Sequence, residues 1–308
     1  MGSWLKIVAL AAVAAGATAP AHAQSACDRA CLTGYIDAYF AALFANDATR
    51  LRQAARARIT DNGAEKNLAD TFWASAEATL YRFDIVNTER GDTGTQTVVR
   101  NADGSKTMHM VRLKVRDGAI TEIETIRANQ GEADRLWDPD RLTAVSPDLT
   151  QSIRVAERDS YYDLIAAAEG YWRAFQTNGT PDYRAARVLP DSRRYENGLQ
   201  TTGLVRNGEY QSTQRGFDEG RFVNRNIWDR RYPVVDEERG IVLSIVRFGN
   251  KGGATSESAV TSNDRLVAEF FAVKRGYIQE IQAVLVNLPD AKPTGWPPDT
   301  GPGRGSTH

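Results

Sequence analysis

The chain has 308 residues, enough for two ordinary domains with a full core in each. Its 38 basic and 39 acidic residues are interspersed and leave a net charge of −1. With no basic excess to neutralise phosphates, nucleic acid is not an expected partner.

The first 23 residues read as a secretory signal peptide. Lys6 precedes an apolar run over 7–15, and Ala21-His22-Ala23 is a small-residue cleavage site, with cleavage expected before Gln24. The apolar run is too short to span a bilayer and no later segment approaches 18 apolar residues, so membrane insertion is not expected. The alanine-rich signal, without a lipobox cysteine, points to a periplasmic or secreted protein. Cys27 and Cys31 are the two cysteines. In an oxidising compartment a disulfide between them is the first expectation. A redox pair fits the C-x-x-x-C spacing less well, and a metal site has no histidine cluster to complete it. After cleavage only His109 and His308 remain. A Ser-His-Asp triad would therefore need His109, and no metal or other cofactor is expected.

Leu32, Tyr35, Ile36, Tyr39, Phe40 and Leu43 recur at helical spacing and predict an amphipathic helix over 31–45, capped by Asp28 and ended by Asn46-Asp47. A shorter helix is expected over 49–57, then a strand from Ile59 into the turn Asp61-Asn62-Gly63. Residues 68–80, with Phe72 and Trp73, read as a third helix. Strands follow over 81–87, 96–100, 107–115 and 119–126, with turns at Asp103-Gly104 and Asp117-Gly118. Residues 127–157 lose periodicity. A helix over 160–176 then presents Tyr161, Leu164, Ile165, Ala168, Trp172 and Phe175 on one face. The clearest stretch is 228–248, where β-rich runs over 232–235 and 241–248 flank a turn ending in Gly240, with Pro233 near the start of the first strand. Strands over 266–273 and 277–286 extend it into an antiparallel meander. The proline- and glycine-rich end is a tail, with Trp296 as its anchor.

Three segments recur in the same order. Residues 39–46 are answered by 171–178, Thr60-Asp61-Asn62-Gly63 by Tyr195-Glu196-Asn197-Gly198, and 115–123 by 273–281. They imply two copies of one α+β unit. The expected plan is a signal peptide over 1–23, a first unit over 24–145, a linker over 146–158, a second unit over 159–290 and a tail over 291–308.

Helices first, an Asn-Gly turn, then a long sheet ending in V-x-x-G-x-I-x-E-I: this order resembles the NTF2-like, or SnoaL-like, cone fold. Cys27 to Leu32, the Asp61-Asn62-Gly63 turn, the run from Arg230 to Asp236, Ala268-Glu269-Phe270-Phe271 and Gly295-Trp296-Pro297 together are similar to an exported tandem NTF2-like family, bacterial and fungal, of largely unknown function. The resemblance implies two tandem cone units, each with N-terminal helices on a curved antiparallel sheet around an apolar cavity. Its superfamily includes cofactor-free isomerases, dehydratases, cyclases and lyases, some of which release formaldehyde from lignin-derived aromatic dimers, as well as binding and assembly modules.

Period-two reading places Val267, Glu269, Phe271 and Val273 on one face of the second unit, and His109, Val111, Leu113 and Val115 on the matching face of the first. Glu269 and His109 are the candidate acid/base residues, because burial among apolar side chains would move a carboxylate pKa towards neutrality. A salt bridge from Glu269 to Arg247 or Arg231 is the plainer alternative. Arg230, Arg231 and Arg247 could hold a developing oxyanion, or pair with Asp229, Asp236, Glu237 or Glu238 at the surface. Asp61 and Glu196 are expected to hold the turn backbone. Tyr171, Trp172 and Phe271 are the candidate substrate-binding aromatics, and Tyr35, Tyr39, Tyr171, Trp172 and Phe175 also have the spacing of core residues. The leading expectation is exported, cofactor-free acid/base chemistry of lyase, dehydratase or isomerase type, retro-aldol release of formaldehyde included, on a small aromatic molecule. The alternatives are a non-catalytic binding protein and an assembly module whose two units pack sheet to sheet. A homo-oligomer is compatible with each.

Overall fold

The computed structural model describes residues 27–132, 135–250, 264–288 and 295–297. The expected signal peptide, its expected cleavage site and most of the expected tail lie outside the described residues.

The first unit opens with α1 (Arg29–Phe44), whose N-cap Asp28 accepts a hydrogen bond from the Cys31 amide at 2.8 Å. A Cys27–Cys31 disulfide, with Cα atoms 5.3 Å apart, closes the first turn. Then come β1 (Gln53–Asp61), β2 (Ala64–Glu65), β3 (Ala76–Asn87), β4 (Asp92–Asn101), β5 (Lys106–Arg116) and β6 (Ala119–Asn129). The second unit repeats the plan with α2 (Tyr161–Thr177), β7 (Val188–Glu196) and β8 (Leu199–Thr202). It inserts a small hairpin, β9 (Leu204–Arg206) and β10 (Glu209–Gln211), and a short α3 (Thr213–Asp218), then closes with β11 (Arg225–Asp236), β12 (Ile241–Asn250), β13 (Arg265–Lys274) and β14 (Tyr277–Asn287).

The two sheets share one strand order. It is β2-β1-β6-β5-β4-β3 in the first unit and β8-β7-β14-β13-β12-β11 in the second. Each sheet is mixed, which corrects the expected purely antiparallel sheet. β1 runs parallel to β6 and β7 parallel to β14, because the four-strand meander returns its last strand beside the strand that follows the helix. Even the irregularities repeat, with a bulge at Lys114/Val115 answered by one at Ala272/Val273. Asp117-Gly118 and Arg275-Gly276 both place two successive residues at positive φ, the requirement of a tight two-residue hairpin.

Two expected helices are absent. Residues 49–57 form a short turn at Ala48–Arg50 and then enter β1, because the edge of β6 recruits the chain over its helical propensity. Residues 68–80 break into single turns at Leu68–Asp70 and Phe72–Ala74, separated by extended Thr71, and Ala76 already pairs with Asn101 of β4. Pro233 lies deep in β11, not near its start. It is tolerated because β11 is an edge strand with a register shift between Arg231 and Val234.

Three apolar clusters result. One lies between α1 and the first sheet (Leu32, Ile36, Leu43, Val111, Leu113) and one between α2 and the second (Leu164, Phe175, Val242, Val267, Phe271). The third lies where the outer faces of the two sheets meet, with Phe83, Met108, Met110 and Ile126 against Leu243, Ile245, Leu266 and Phe270. Gly94 and Leu243, which hold equivalent positions in the two sheets, meet there. A Cβ on Gly94 would stand 3.1 Å from the Leu243 side chain. Two residues of the expected linker dock as well: Leu149 is buried in the sheet interface, and the Ile153 amide donates to the Glu238 carbonyl at 2.7 Å. Trp296 anchors the end of the described chain, donating from its indole nitrogen to Thr60 Oγ1 at 2.9 Å and lying under the Arg58 and Arg112 guanidiniums.

Candidate functional site

Beneath each helix the two units hold different polar groups, and register shows where they diverge. Asn62 and Asn197 occupy the same left-handed turn position and make the same two bonds. The Asn62 amide donates to the Arg127 carbonyl at 3.1 Å and accepts from its N–H at 2.8 Å. The Asn197 amide does the same with Leu285, at 2.8 and 3.0 Å. The asparagines therefore hold the turn backbone, a role expected of the preceding acids Asp61 and Glu196. Those acids instead pair with arginines. Asp61 takes Arg127 at 3.0 Å, and Glu196 takes Arg194 at 3.1 Å.

The two arginines come from different strands. Arg127 sits on β6, and its equivalent on β14 is Leu285. Arg194 sits on β7 opposite Ile281, just as Ile59 on β1 sits opposite Ile123, so Ile59 is its equivalent. Glu269 pairs with Ala283 as Val111 pairs with Thr125. The second unit thus has the Arg194–Glu269 pair, 2.9 Å apart, where the first has Ile59 and Val111.

Glu269 is fully buried on the face turned to α2, with Val267, Phe271 and Val273. Burial pushes its carboxyl up to about 7, against the opposing pull of Arg194. Its Oε2, the Arg194 Nε and the Tyr171 hydroxyl have no hydrogen-bond partner among the described residues. Burial drives the Tyr171 phenol well above its ordinary pKa; the Arg194 charge opposes this, and Glu269 and Glu196 add to it.

His109 occupies the α1-facing side of β5, fully buried, 3.3 Å from the Tyr39 hydroxyl and against the Phe72 ring. Burial and the nearby Arg127 charge lower its pKa to about 3, so at neutral pH it is an uncharged imidazole. Arg231 and Arg247 are not beside Glu269. Arg247 alternates with Ser244 and Val246 along β12 and so faces the other sheet, within 3.7 Å of Asp264 and over the Trp228 ring. Arg231 crosses to the first unit and forks onto Glu124, which also accepts from Arg112 at 2.9 Å. Arg230 pairs with Glu169 of α2. Period-two alternation separates Arg247 from Glu269, and the bulges of β11 disrupt the same reading for Arg231.

A cavity of about 840 Å³ opens into the second unit beside this cluster. Its described walls include α2, β7, β8, α3 and the ends of β11, β12 and β13. Arg194 and Glu196 line it, with Phe175, Phe222 and Phe248, and with Arg225 and Arg265. Tyr171, Trp172 and Phe271 do not line it. They are fully buried behind it, Tyr171 and Phe271 with ring centroids 5.1 Å apart, and the Trp172 indole donates to Ser244 Oγ at 2.8 Å. The residue missed from sequence is Arg194. The available signal was its place two residues before Glu196 on one strand face, set against apolar Ile59 in the first unit.

Among the described residues no group of three or more histidine, cysteine or acidic side chains is placed to hold a metal. No helix among them is long and apolar enough to cross a membrane.

The family described as "Domain of unknown function (DUF8021)" matches residues 157–285, from just before α2 into β14. No curated protein matches the chain. Among solved structures, the chain is similar to wild-type IdmH, "a putative polyketide cyclase from Streptomyces antibioticus", at 20% identity and a TM-score of 0.27, over 31% of this chain and 91% of that one.

Proposed function

We propose that this chain is an exported protein whose second unit binds a small aromatic molecule in the 840 Å³ cavity and acts on it by cofactor-free acid/base chemistry of lyase, dehydratase or isomerase type. The observation that carries the reading is the asymmetry between units. A buried arginine–glutamate pair beside an open cavity in one unit replaces an isoleucine and a valine in the other. Two sheets packed over an apolar core do not need that pair for stability, since buried ion pairs are often no better than apolar residues of similar volume. In this reading Glu269 is the proton-transfer group, poised near neutrality. Arg194 is the charge that stabilises an oxyanion, and Phe175, Phe222 and Phe248 hold the ring. The disulfide at Cys27–Cys31 fits an oxidising compartment.

A second reading is binding without turnover. It is favoured by the complete burial of Glu269 behind Arg194, which stands between the carboxylate and the cavity. Mass-spectrometric turnover of the mature protein against small aromatic compounds, lignin-type dimers included, separates the two. Product formed by the wild type and lost in Glu269→Gln is the expected result. Turnover unchanged in the variant would remove Glu269 from the chemistry. A retained ligand without product, seen by native mass spectrometry, would establish binding alone.

A further inference from the structure

We propose that the ligand of the second unit carries a carboxylate, which takes Arg194 from Glu269, and that Glu269 gains one proton in the exchange. This rests on the cavity reading above and adds the charge of the ligand and the event that admits it.

Arg194 belongs to both environments. It lines the cavity, and its Nη2 lies 2.9 Å from Glu269 and 3.1 Å from Glu196. One guanidinium therefore serves two carboxylates, and with both ionised the trio carries a net charge of −1. The Arg194 and Glu196 side chains are only 11% and 12% exposed and Glu269 not at all, so a third carboxylate brought to Arg194 would double an excess charge that water screens poorly. A proton taken from solvent onto Glu269 removes the conflict. Arg194 then pairs with Glu196 and the ligand, and the net charge stays at −1.

Of the two carboxylates on Arg194, Glu196 lines the cavity and keeps some exposure, whereas Glu269 has none and is the costlier to hold ionised once its cation turns to the ligand. α2 presents Tyr171, whose phenol stays protonated, and β7 presents Arg194 and Glu196. β12 and β14 place Ser244 and Ala283 beside it, neither of which titrates. The Glu269 Oε2 has no hydrogen-bond partner among the described residues and is available to carry the proton. Arg225 and Arg265 line the same cavity as Arg194. Phe175 and Phe248, edge to face with ring centroids 5.4 Å apart, leave an aromatic wall for the rest of the ligand.

The test is titration calorimetry of the mature protein with 4-hydroxycinnamate and with its methyl ester, in phosphate and in Tris at pH 8. The difference between buffers counts the protons exchanged. The carboxylate is expected to bind at least about tenfold more tightly than the ester, with uptake of about one proton at pH 8, and its Kd to weaken by about fivefold from pH 7 to pH 8. Glu269→Gln is expected to keep carboxylate binding, with no proton uptake and a flat pH profile. Arg194→Met should bring the carboxylate down to the affinity of the ester. Arg194→Gln, which also removes the charge but keeps hydrogen-bonding capacity, serves if the methionine variant does not fold. Equal binding of acid and ester would overturn the inference and leave the cavity reading standing. Proton uptake persisting in Glu269→Gln would overturn the exchange. Failure of both compounds to bind would overturn inference and cavity reading together.

Discussion

His109 and Asn197 show how much of this molecule depends on single polar groups beneath the helices. His109 is buried and neutral, with a folded-state pKa of about 3 against an ordinary value of 6.5. Its contribution to stability is present above pH 6.5 and is lost as pH falls towards 3, because the unfolded chain binds the proton more readily. Between pH 7 and pH 4 the wild type should lose about 3 kcal/mol of unfolding free energy that His109→Gln does not lose. Urea titrations of both proteins at the two pH values check this, and equal losses would mean that the imidazole is solvated. Asn197 combines a backbone at φ 44° with two hydrogen bonds to Leu285. Asn197→Ala should destabilise by about 2–4 kcal/mol, through the stranded Leu285 groups and the strained alanine. Asn197→Gly keeps the backbone conformation at ease and isolates the share of the amide, and Asn62→Ala should give a loss of similar size.

The helix-facing side of each sheet is one place where the two units diverge. The second unit holds Arg194 and Glu269 where the first holds Ile59 and Val111. Arg194→Ile alone would leave Glu269 buried without its cation and should cost about 3–5 kcal/mol above pH 7. Glu269→Val alone leaves Arg194 paired with Glu196 and should cost less. The double variant restores the apolar pairing of the first unit and should be more stable than Arg194→Ile, so the cycle should show a coupling of about 1–3 kcal/mol. Strictly additive losses would mean that the ion pair contributes nothing beyond its two members. At the start of α1, the disulfide closes a loop of only a few residues, and replacing both cysteines by serine should cost about 2 kcal/mol.

At the scale of the whole chain, the sheets meet through their outer faces, and the seam has no slack at Gly94. Gly94→Val would press on Leu243 and Phe270, 3.1 and 3.4 Å from the added Cβ, and should destabilise by about 1–3 kcal/mol or more. Gly34→Ala, with nothing within 4 Å of the added methyl on α1, should be neutral or stabilising. An isolated second unit over 157–288 would expose Leu243, Ile245, Leu266 and Phe270 together. It should self-associate in light scattering, where the full chain keeps that face covered by its own first unit.

The sequence by itself determined the duplication, both long helices, the two meanders and the faces of β5 and β13, because those rest on local periodicity and on glycine turns that only certain backbones accept. Glu269 and His109 were placed on the helix-facing side for the same reason: alternation is strict over an unbroken strand. Tertiary structure decided the rest. Residues 49–57 and 68–80 read as helix because their local propensities are helical, and they became strand and turn because a sheet edge offered them hydrogen bonds that local propensity does not count. Arg231 and Arg247 were grouped with Glu269 by charge, but the packing of one sheet on the other gave Arg231 its partner Glu124, and strand alternation turned Arg247 towards Asp264 and Trp228 of its own unit. Arg194 was invisible until parallel pairing set β7 beside β14, since the contact that defines it joins strands 75 residues apart in the chain.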